Sequence, residues 1–242
     1  MTGNGFEFFP ESHTYLYNGK RMTGCTTVLS IISKSNLIPW AARMAVEHIA
    51  DNIAALIGAD QETTERILTE AKNAHLRKKE AGAQKGTDTH ALVEQLVKNS
   101  ITANGGFIPH DWARDEKIGA FVDWAWKEKI RFLSSEARFY SEKLYVAGTA
   151  DLVFEKDGKR FVGDVKTYGK LWDRVPHFQA AGYCLMAEEM GEPAFDGTCI
   201  INLPKERPFN ELEDVSWSYD IEDDKKSFMA AVTLYRALNR DY

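Results

Sequence analysis

Alternating apolar and polar residues near the start of the chain predict short strands. FEFF (6–9) and HTYLYNGKRM (13–22) follow this pattern, and Asn18-Gly19 is a typical two-residue hairpin turn. Residues 6–33 are therefore predicted to form a short strand pair leading into TTVLSIIS. From 38 to 98 the apolar spacing becomes helical, in AARMAVEHIADNIAALI, ETTERILTEAKNAHLRKKEAGAQ and, after Gly86, THALVEQLV.

The second half of the chain changes from helical to mixed patterning. After Gly105-Gly106 and Pro109 comes a Trp-rich helix, DWARDEKIGAFVDWAWKEKI, in which Trp124 and Trp126 are interpreted as packing residues. Beyond Ser134, the stretches ARFYSEKLYV, GTADLVFE, KRFVGDVKT and GTCIINL are rich in β-formers, with the helix RVPHFQAAGYCLMAEEM before the last. VSWSYDI and KKSFMAAVTLYRALNR predict a final strand and helix.

These patterns predict a mixed α/β (α+β) fold with the order α-β-β-β-α-β between residues 87 and 203. The predicted division places an N-terminal strand pair and helical extension at 1–84 and a core, with its C-terminal strand and helix, at 85–242.

Two carboxylates and a lysine are predicted to meet on one β-hairpin. Asp157-Gly158 favours a two-residue turn, which makes Lys156 face Lys159 and, by the same register, Asp151 face Asp164. Like charges at directly opposed positions destabilise a sheet, so a divalent cation is expected to compensate them. Lys166 lies on the same face as Asp164, about 6.6 Å along the strand. Two alternatives stay open from geometry alone: a solvated face of alternating Asp and Lys, and a register broken by a β-bulge.

Further motif residues flank this hairpin. Asp-x₁₂-Asp-x-Lys is preceded by Gly-Thr-Ala and followed by Thr, His90 lies earlier in GTDTHALVE, and Gln179-Ala-Ala-Gly-Tyr183 follows on the next helix. In this order and over residues 87–203, the set resembles the RecB-like branch of the PD-(D/E)XK nucleases. Within that branch, the set is similar to phage-type exonucleases and to the mitochondrial genome-maintenance exonuclease. The resemblance implies the restriction-endonuclease-like core for the α-β-β-β-α-β order.

The resemblance also implies roles for individual residues. Asp151 and Asp164 would ligate Mg²⁺ or Mn²⁺, with His90 and the Val165 carbonyl as further ligands. Lys166 would orient or activate the attacking water. Gln179 and Tyr183 share a helix face and would contact a nucleotide or brace the site, although a purely structural hydrogen-bonded pair is the alternative.

Glu94, Glu136 and a basic segment are additional candidates. Glu94 lies one turn after His90, and Glu136 resembles a family acidic residue, although an ordinary edge-strand charge explains Glu136 equally well. Arg77, Lys78 and Lys79, followed by Lys85, are predicted to bind nucleic acid; a solvated helix surface is the competing interpretation. The helical region 38–84 would then supply the substrate channel.

Composition sets limits on these hypotheses. With 242 residues and 44% hydrophobic composition, the chain can bury a full core, and the net charge of −6 argues against nucleic acid only as a whole-chain average. Three widely spaced cysteines suit neither disulfides nor an iron–sulfur cluster and are interpreted as free thiols in a reducing compartment. The N-terminus lacks the order of a secretory signal and no apolar run approaches a membrane span, so a cytoplasmic protein without a membrane partner is expected.

The predicted function is therefore a Mg²⁺- or Mn²⁺-dependent deoxyribonuclease, with exonuclease activity of the phage or prophage type implied by the resemblance. Its partners would be single-stranded DNA or duplex ends, and recombination or replication proteins of a phage or its host. Three alternatives are a catalytically silent nucleic-acid-binding module on the same fold, a structure-specific endonuclease, and a hydrolase of small phosphoesters. Intact Asp151, Asp164 and Lys166 count against the first, and the lack of a Gly-rich phosphate loop counts against the last.

Overall fold

The computed structural model describes residues 5–32, 37–112, 118–171, 173–204 and 207–239, without the side chains of 82–87. The strands are β1 Phe6–Phe9, β2 Thr14–Tyr17, β3 Lys20–Arg21, β4 Thr23–Gly24, β5 Arg131–Ser141, β6 Val146–Lys156, β7 Lys159–Lys166, β8 Gly197–Asn202 and β9 Val215–Ser218. The helices are α1 Cys25–Leu29, α2 Leu37–Asp51, α3 Ile53–Leu56, α4 Gln61–Lys72, α5 Ala74–Asn104, α6 Gly119–Lys127, α7 Val175–Glu189, α8 Glu211–Asp214 and α9 Ile221–Leu238, with a 3₁₀ turn His110–Trp112. The predicted mixed α/β class and the order β5-β6-β7-α7-β8 are confirmed.

A six-stranded mixed sheet forms the centre of the larger compact unit. Its path is β4-β6-β7-β8-β9, and β5 pairs with the other edge of β6. β4 with β6 and β7 with β8 are parallel, whereas the remaining pairs are antiparallel. One core cluster joins α1, α7 and α9 to the sheet, and a second joins α5 and α6 to alternate residues of β6, β7 and β8. The side chains of β7 consequently divide between two apolar layers.

The chain divides into two compact units at positions different from the predicted boundary at 84. One unit comprises residues 1–32 with 89–242, and the other residues 33–88. The N-terminal strands belong with the large sheet because their aromatic side chains pack on β5, where the rings of Phe6 and Tyr140 stack at 4.6 Å. They form a three-stranded sheet instead of a strand pair, and Asn18-Gly19 is the predicted turn, with Tyr17 opposite Lys20.

Two helical predictions differ from the structure. The break expected near Gly86 is absent, since α5 is one helix of 31 residues, whereas Asn73 separates α4 from α5. A glycine inside a helix costs only about 1 kcal/mol relative to alanine and need not end it. In the Trp-rich region, Trp124 is buried as predicted, but Trp126 is 56% exposed.

The sequence also predicts free cysteines and no membrane-spanning helix. All three cysteines are free, as predicted, and all three are buried. Among the described residues, we find no helix that combines the length and the apolar character required to cross a membrane.

Candidate active site

A tight hairpin sets the register of the strands that carry the candidate residues. Asp157 and Gly158 both have positive φ, 51° and 74°, as a type I′ turn requires. The predicted turn and register are confirmed over five pairs, which run from Lys156↔Lys159 to Leu152↔Gly163.

The ladder between β6 and β7 ends one step before the two aspartates. β5 occupies one edge of β6, so β7 and β4 share the other: β7 pairs with residues 152–156 and β4 with 146–147. Within the described strands, residues 148–151 therefore have no partner strand on this second edge. This stretch is the Gly-Thr-Ala-Asp motif, and the motif consequently lies where the sheet splits.

At this split in the sheet, the Asp151 side chain binds the backbone of β7. Its Oδ2 accepts a hydrogen bond of 2.7 Å from Val165 N–H. Asp151 and Asp164 therefore do not form the predicted ladder pair. The Asp151 carboxylate accepts the backbone N–H of Val165, which a backbone carbonyl of β6 would bind in a continuous ladder. N–H and C=O of one strand residue point to the same side, so the Val165 carbonyl also faces the Asp151 side.

Asp164 and Lys166 form a buried ion pair on β7. Lys166 Nζ lies 2.5 Å from Asp164 Oδ2, and the side chains are only 14% and 2% exposed. Burial raises the pKa of Asp164, and the nearby Asp151 adds to this, so that Lys166 only partly offsets the shift. For Lys166, burial favours the neutral amine, but Asp164 and Asp151 outweigh it and raise the pKa. Lys166 is therefore a fixed ammonium beside two carboxylates.

His90, on α5, lies next to the same carboxylates. Its Nδ1 is 3.6 Å from Asp151 Oδ1. Burial alone would lower the pKa of His90, but Asp151 and then Asp164 bring it above its ordinary value. The structure thus brings together four residues predicted from widely separated parts of the sequence: His90, Asp151, Asp164 and Lys166.

Glu94 and Glu136 add negative charge to this cluster. Glu136 has φ 53° within β5, a rare backbone conformation for a residue other than glycine, and it falls opposite Asp151 in the β5–β6 register. Burial, then Asp151 and Glu94, raise the pKa of Glu136 to about 7. Glu94 also pairs with Lys98 on the exposed side of α5.

Gln179 and Tyr183 brace the split in the sheet. Gln179 Nε2 donates a 2.7 Å hydrogen bond to the Tyr183 hydroxyl, which is the structural pairing foreseen as one alternative. The Tyr183 ring packs directly on Gly148, where a Cβ would lie 2.4 Å from Cε1. Gly148 is therefore required by close packing. A cavity of about 80 Å³ opens beside these two residues and the N-terminal strands.

Sequence reasoning missed the contribution of the N-terminal strands to the motif. The Tyr15 hydroxyl lies 2.8 Å from Thr149 Oγ1 and 3.0 Å from His13 Nε2. Tyr15 and Thr149 are 134 positions apart, and no local pattern relates them. The contact arises from the packing of β2 against β5 and β6, which places Tyr15 beside Tyr140 and Ala147.

The donor set fits a hard divalent cation. Carboxylate and carbonyl oxygens with one imidazole suit Mg²⁺ or Mn²⁺, and buried Asp164 Oδ2 has no hydrogen bond of good geometry among the described residues despite the Lys166 contact. Among those residues, no group of three or more His, Cys, Asp and Glu is already arranged to hold a metal. If both aspartates coordinated a cation, metal bonds would replace the hydrogen bond of Asp151 from Val165 N–H and the contact of Asp164 with Lys166.

The basic segment belongs to the smaller unit. The basic residues Arg77, Lys78 and Lys79 lie on α5. Arg77 Nη2 donates a 2.9 Å hydrogen bond to the Glu70 carbonyl. Arg77, Lys78 and Lys79 are all exposed, and the side chain of Lys85 lies outside the described residues. Nucleic-acid binding by this segment stays a prediction.

The charge of Glu136 makes stability depend on pH in the absence of metal. A carboxyl group with a raised pKa in the folded state stabilises the protein when protonated and loses that contribution as pH rises through about 7. In EDTA, Glu136→Gln should raise the free energy of unfolding at pH 8 by on the order of 1 kcal/mol, since partial exposure screens much of the shift. At pH 4.5 the difference should vanish.

Thermal melts of both proteins at pH 4.5, 6 and 8 measure this effect. Glu80→Gln on α5 is the control, because Glu80 is exposed, and it should melt like the wild type at each pH. A constant offset between Glu136→Gln and the wild type at every pH would contradict the prediction.

Comparisons with known proteins do not assign this site. No protein-family model matches the sequence, and a search of curated proteins finds no matching relative. Functional inference therefore depends on the side-chain arrangement.

Proposed function

We propose that this chain is a Mg²⁺- or Mn²⁺-dependent deoxyribonuclease of the PD-(D/E)XK type. The observation that carries the proposal is the placement of Asp151, Asp164 and Lys166 at the split between β6 and β7, with His90 3.6 Å from Asp151. The Lys166 ammonium is held among carboxylates and is only 14% exposed. Cation ligands beside a fixed positive charge are a combination suited to phosphodiester hydrolysis.

The strand and helix order supports the same proposal. A helix precedes three antiparallel strands, and a second helix leads to a strand parallel to β7. We take this order as that of the restriction-endonuclease-like core, in which Asp151, Asp164 and Lys166 would occupy the strand positions of the family motif. The remaining candidates flank them, with His90 on α5 and Gln179 on α7.

Each residue has a definite chemical part in the proposal. His90, Asp151, Asp164 and the Val165 carbonyl would hold the cation, which when bound polarises the phosphoryl oxygen and lowers the pKa of a bound water. The Lys166 ammonium orients the attacking water and stabilises negative charge on the phosphoryl oxygens. Gln179 and Tyr183 would brace the backbone that leads to Asp151, through the contact of the Tyr183 ring with Gly148.

DNA as the substrate and exonuclease action follow from the resemblance and stay part of the proposal. Exposed Lys78 and Lys79, with Arg77, would neutralise phosphates, and affinity would then fall steeply with salt. Recombination or replication proteins of a phage or its host are the proposed protein partners. A silent binding module remains the alternative of a different class, and a structure-specific endonuclease is the alternative enzyme.

A digestion experiment separates these alternatives. End-labelled linear single-stranded and duplex DNA should be degraded in Mg²⁺ or Mn²⁺, whereas a covalently closed circle of the same sequence should be spared, because an exonuclease needs an end. EDTA and the variant Asp164→Asn should both abolish degradation. Rapid cutting of the circle would indicate an endonuclease, and binding without cleavage would indicate the silent module.

A further inference from the structure

Three hydrogen bonds hold the segment 166–169, which leaves β7 directly after the Asp164–Lys166 ion pair. They run from Leu203 N–H to the Lys166 carbonyl (2.7 Å), from Tyr168 N–H to Asn202 Oδ1 (2.8 Å) and from Arg207 Nε to the Gly169 carbonyl (2.9 Å). Asn202 lies opposite Lys166 in the parallel register of β7 and β8. The backbone that carries Lys166 is thus fixed from the neighbouring strand and from the chain that follows it.

Asp214 joins two of these three contacts. Its Oδ1 accepts hydrogen bonds from Asn202 Nδ2 (2.8 Å) and Arg207 Nη2 (2.6 Å), and its Oδ2 accepts from Arg207 Nη1 (2.7 Å) and Asn210 N–H (2.9 Å). The Asp214 carboxylate is fully buried. One buried side chain therefore orients both Asn202 and Arg207 toward the segment 166–169.

The charge state of Asp214 suits this arrangement. Burial alone would raise the pKa of Asp214, but the hydrogen bonds from Arg207, Asn210 and Asn202 together lower it. Ionised, the carboxylate accepts both arms of the guanidinium, and such bidentate contacts fix orientation as well as distance. The Asn202 amide is fixed in turn, since Nδ2 must face Asp214 for Oδ1 to meet Tyr168 N–H.

We propose that Asp214 is a positioning residue for Lys166, acting through Asn202 and Arg207 on the segment 166–169. This inference rests on the proposed nuclease function and extends it to residues outside the family motif. Within the described residues, no hydrogen bond joins Asp214, Asn202 or Arg207 to either motif aspartate or to the Lys166 side chain. They act on the backbone of the segment that carries Lys166.

Small displacements of Lys166 would lower the rate of cleavage. Its ammonium lies 2.5 Å from Asp164, so a shift of its backbone changes the position of the ammonium relative to the carboxylates. A misplacement of about 1 Å in a reacting constellation can lower a rate by roughly a hundredfold. The DNA-binding surfaces would be unaffected, so the loss should fall on kcat and not on KM.

Two variants of this network and one matched control test the proposal. Asp214→Asn presents an amide N–H₂ to the guanidinium. Arg207→Lys keeps the positive charge but removes both the Nε donor to the Gly169 carbonyl and the Nη pair that binds Asp214. Asp224→Asn is the control, because Asp224 is also a buried carboxylate paired with an arginine, Arg174 at 2.9 Å, and makes no hydrogen bond to the segment 166–169 within the described residues.

Steady-state cleavage of linear DNA and amide hydrogen exchange of the peptide 167–171 are measured for each protein. Asp214→Asn and Arg207→Lys should each lower kcat by about tenfold or more, with KM for DNA within about twofold, as misplacement of a reacting group predicts. Exchange in the peptide should accelerate in both. Asp224→Asn should keep the wild-type kcat and exchange, and if Asp214→Asn fails to fold, Arg207→Lys alone decides.

The outcomes separate this inference from the proposed function. Wild-type kcat in the folded network variants, or an equal loss in Asp224→Asn, overturns the positioning role while the nuclease assignment stands. A loss confined to KM also overturns it. A wild type that cleaves no DNA with Mg²⁺ or Mn²⁺ overturns the proposed function, and the positioning role with it.

Discussion

Replacing Lys166 with alanine is expected to lower the rate of DNA cleavage by about 10²–10³-fold, the loss typical of removing one charge-stabilising group from a transition state. The ammonium is held 2.5 Å from Asp164 and its side chain is only 14% exposed, so little water can replace it. Cation binding should persist, because an ammonium cannot ligate a metal. Lys166→Ala should therefore separate binding from chemistry.

Single-turnover cleavage and Mn²⁺ titration calorimetry at pH 8 measure the two properties. The pH matters because burial already raises the pKa of Asp164, and loss of the adjacent ammonium would raise it further. Lys159→Ala is the matched control: Lys159 begins the same strand, is exposed and lies over the Tyr219 ring. A Lys166→Ala protein with wild-type turnover would remove the lysine from the mechanism.

Local patterns in the sequence predicted the parts of the site that depend on neighbouring residues. The Asp157-Gly158 turn sets the register by its own backbone preferences, and strand periodicity then places Lys166 on the face of Asp164. The i, i+4 spacing similarly predicted that Gln179 and Tyr183 meet. These features need no knowledge of the rest of the fold.

The remaining features depend on contacts between distant segments. The edge of β6 that β7 leaves is paired again only at residues 146–147, by β4, which lies more than a hundred positions earlier in the chain. The Tyr15–Thr149 contact joins residues 134 positions apart, and the hydrogen bonds from Asn202 and Arg207 to the segment 166–169 span 34 and 38 positions. The positive φ of Glu136 arises within a run of β-forming residues and has no sequence signature.

Divalent cation binding is expected to stabilise the wild type strongly and Asp151→Asn hardly at all. A ligand that binds only the folded chain adds RT ln(1 + [L]/Kd), about 2.7 kcal/mol at a hundredfold excess over Kd. Mn²⁺ should therefore raise the melting temperature of the wild type. Asp151 is the better site for this test than Asp164, because Asp164→Asn would leave the buried Lys166 without its ion-pair partner.

In Asp151→Asn, the side-chain carbonyl can still accept the Val165 N–H, while the repulsion that Asp151 exerts on Asp164 and Glu136 is removed. Without metal, this variant should melt no lower than the wild type, and with Mn²⁺ its rise should be small. Asp157→Asn is the control, since Asn-Gly also favours a type I′ turn and the change removes a carboxylate from the same hairpin away from the site. It should retain the full Mn²⁺-induced rise. An equal rise in Asp151→Asn and the wild type would mean that the cation binds elsewhere and that the two aspartates serve another purpose.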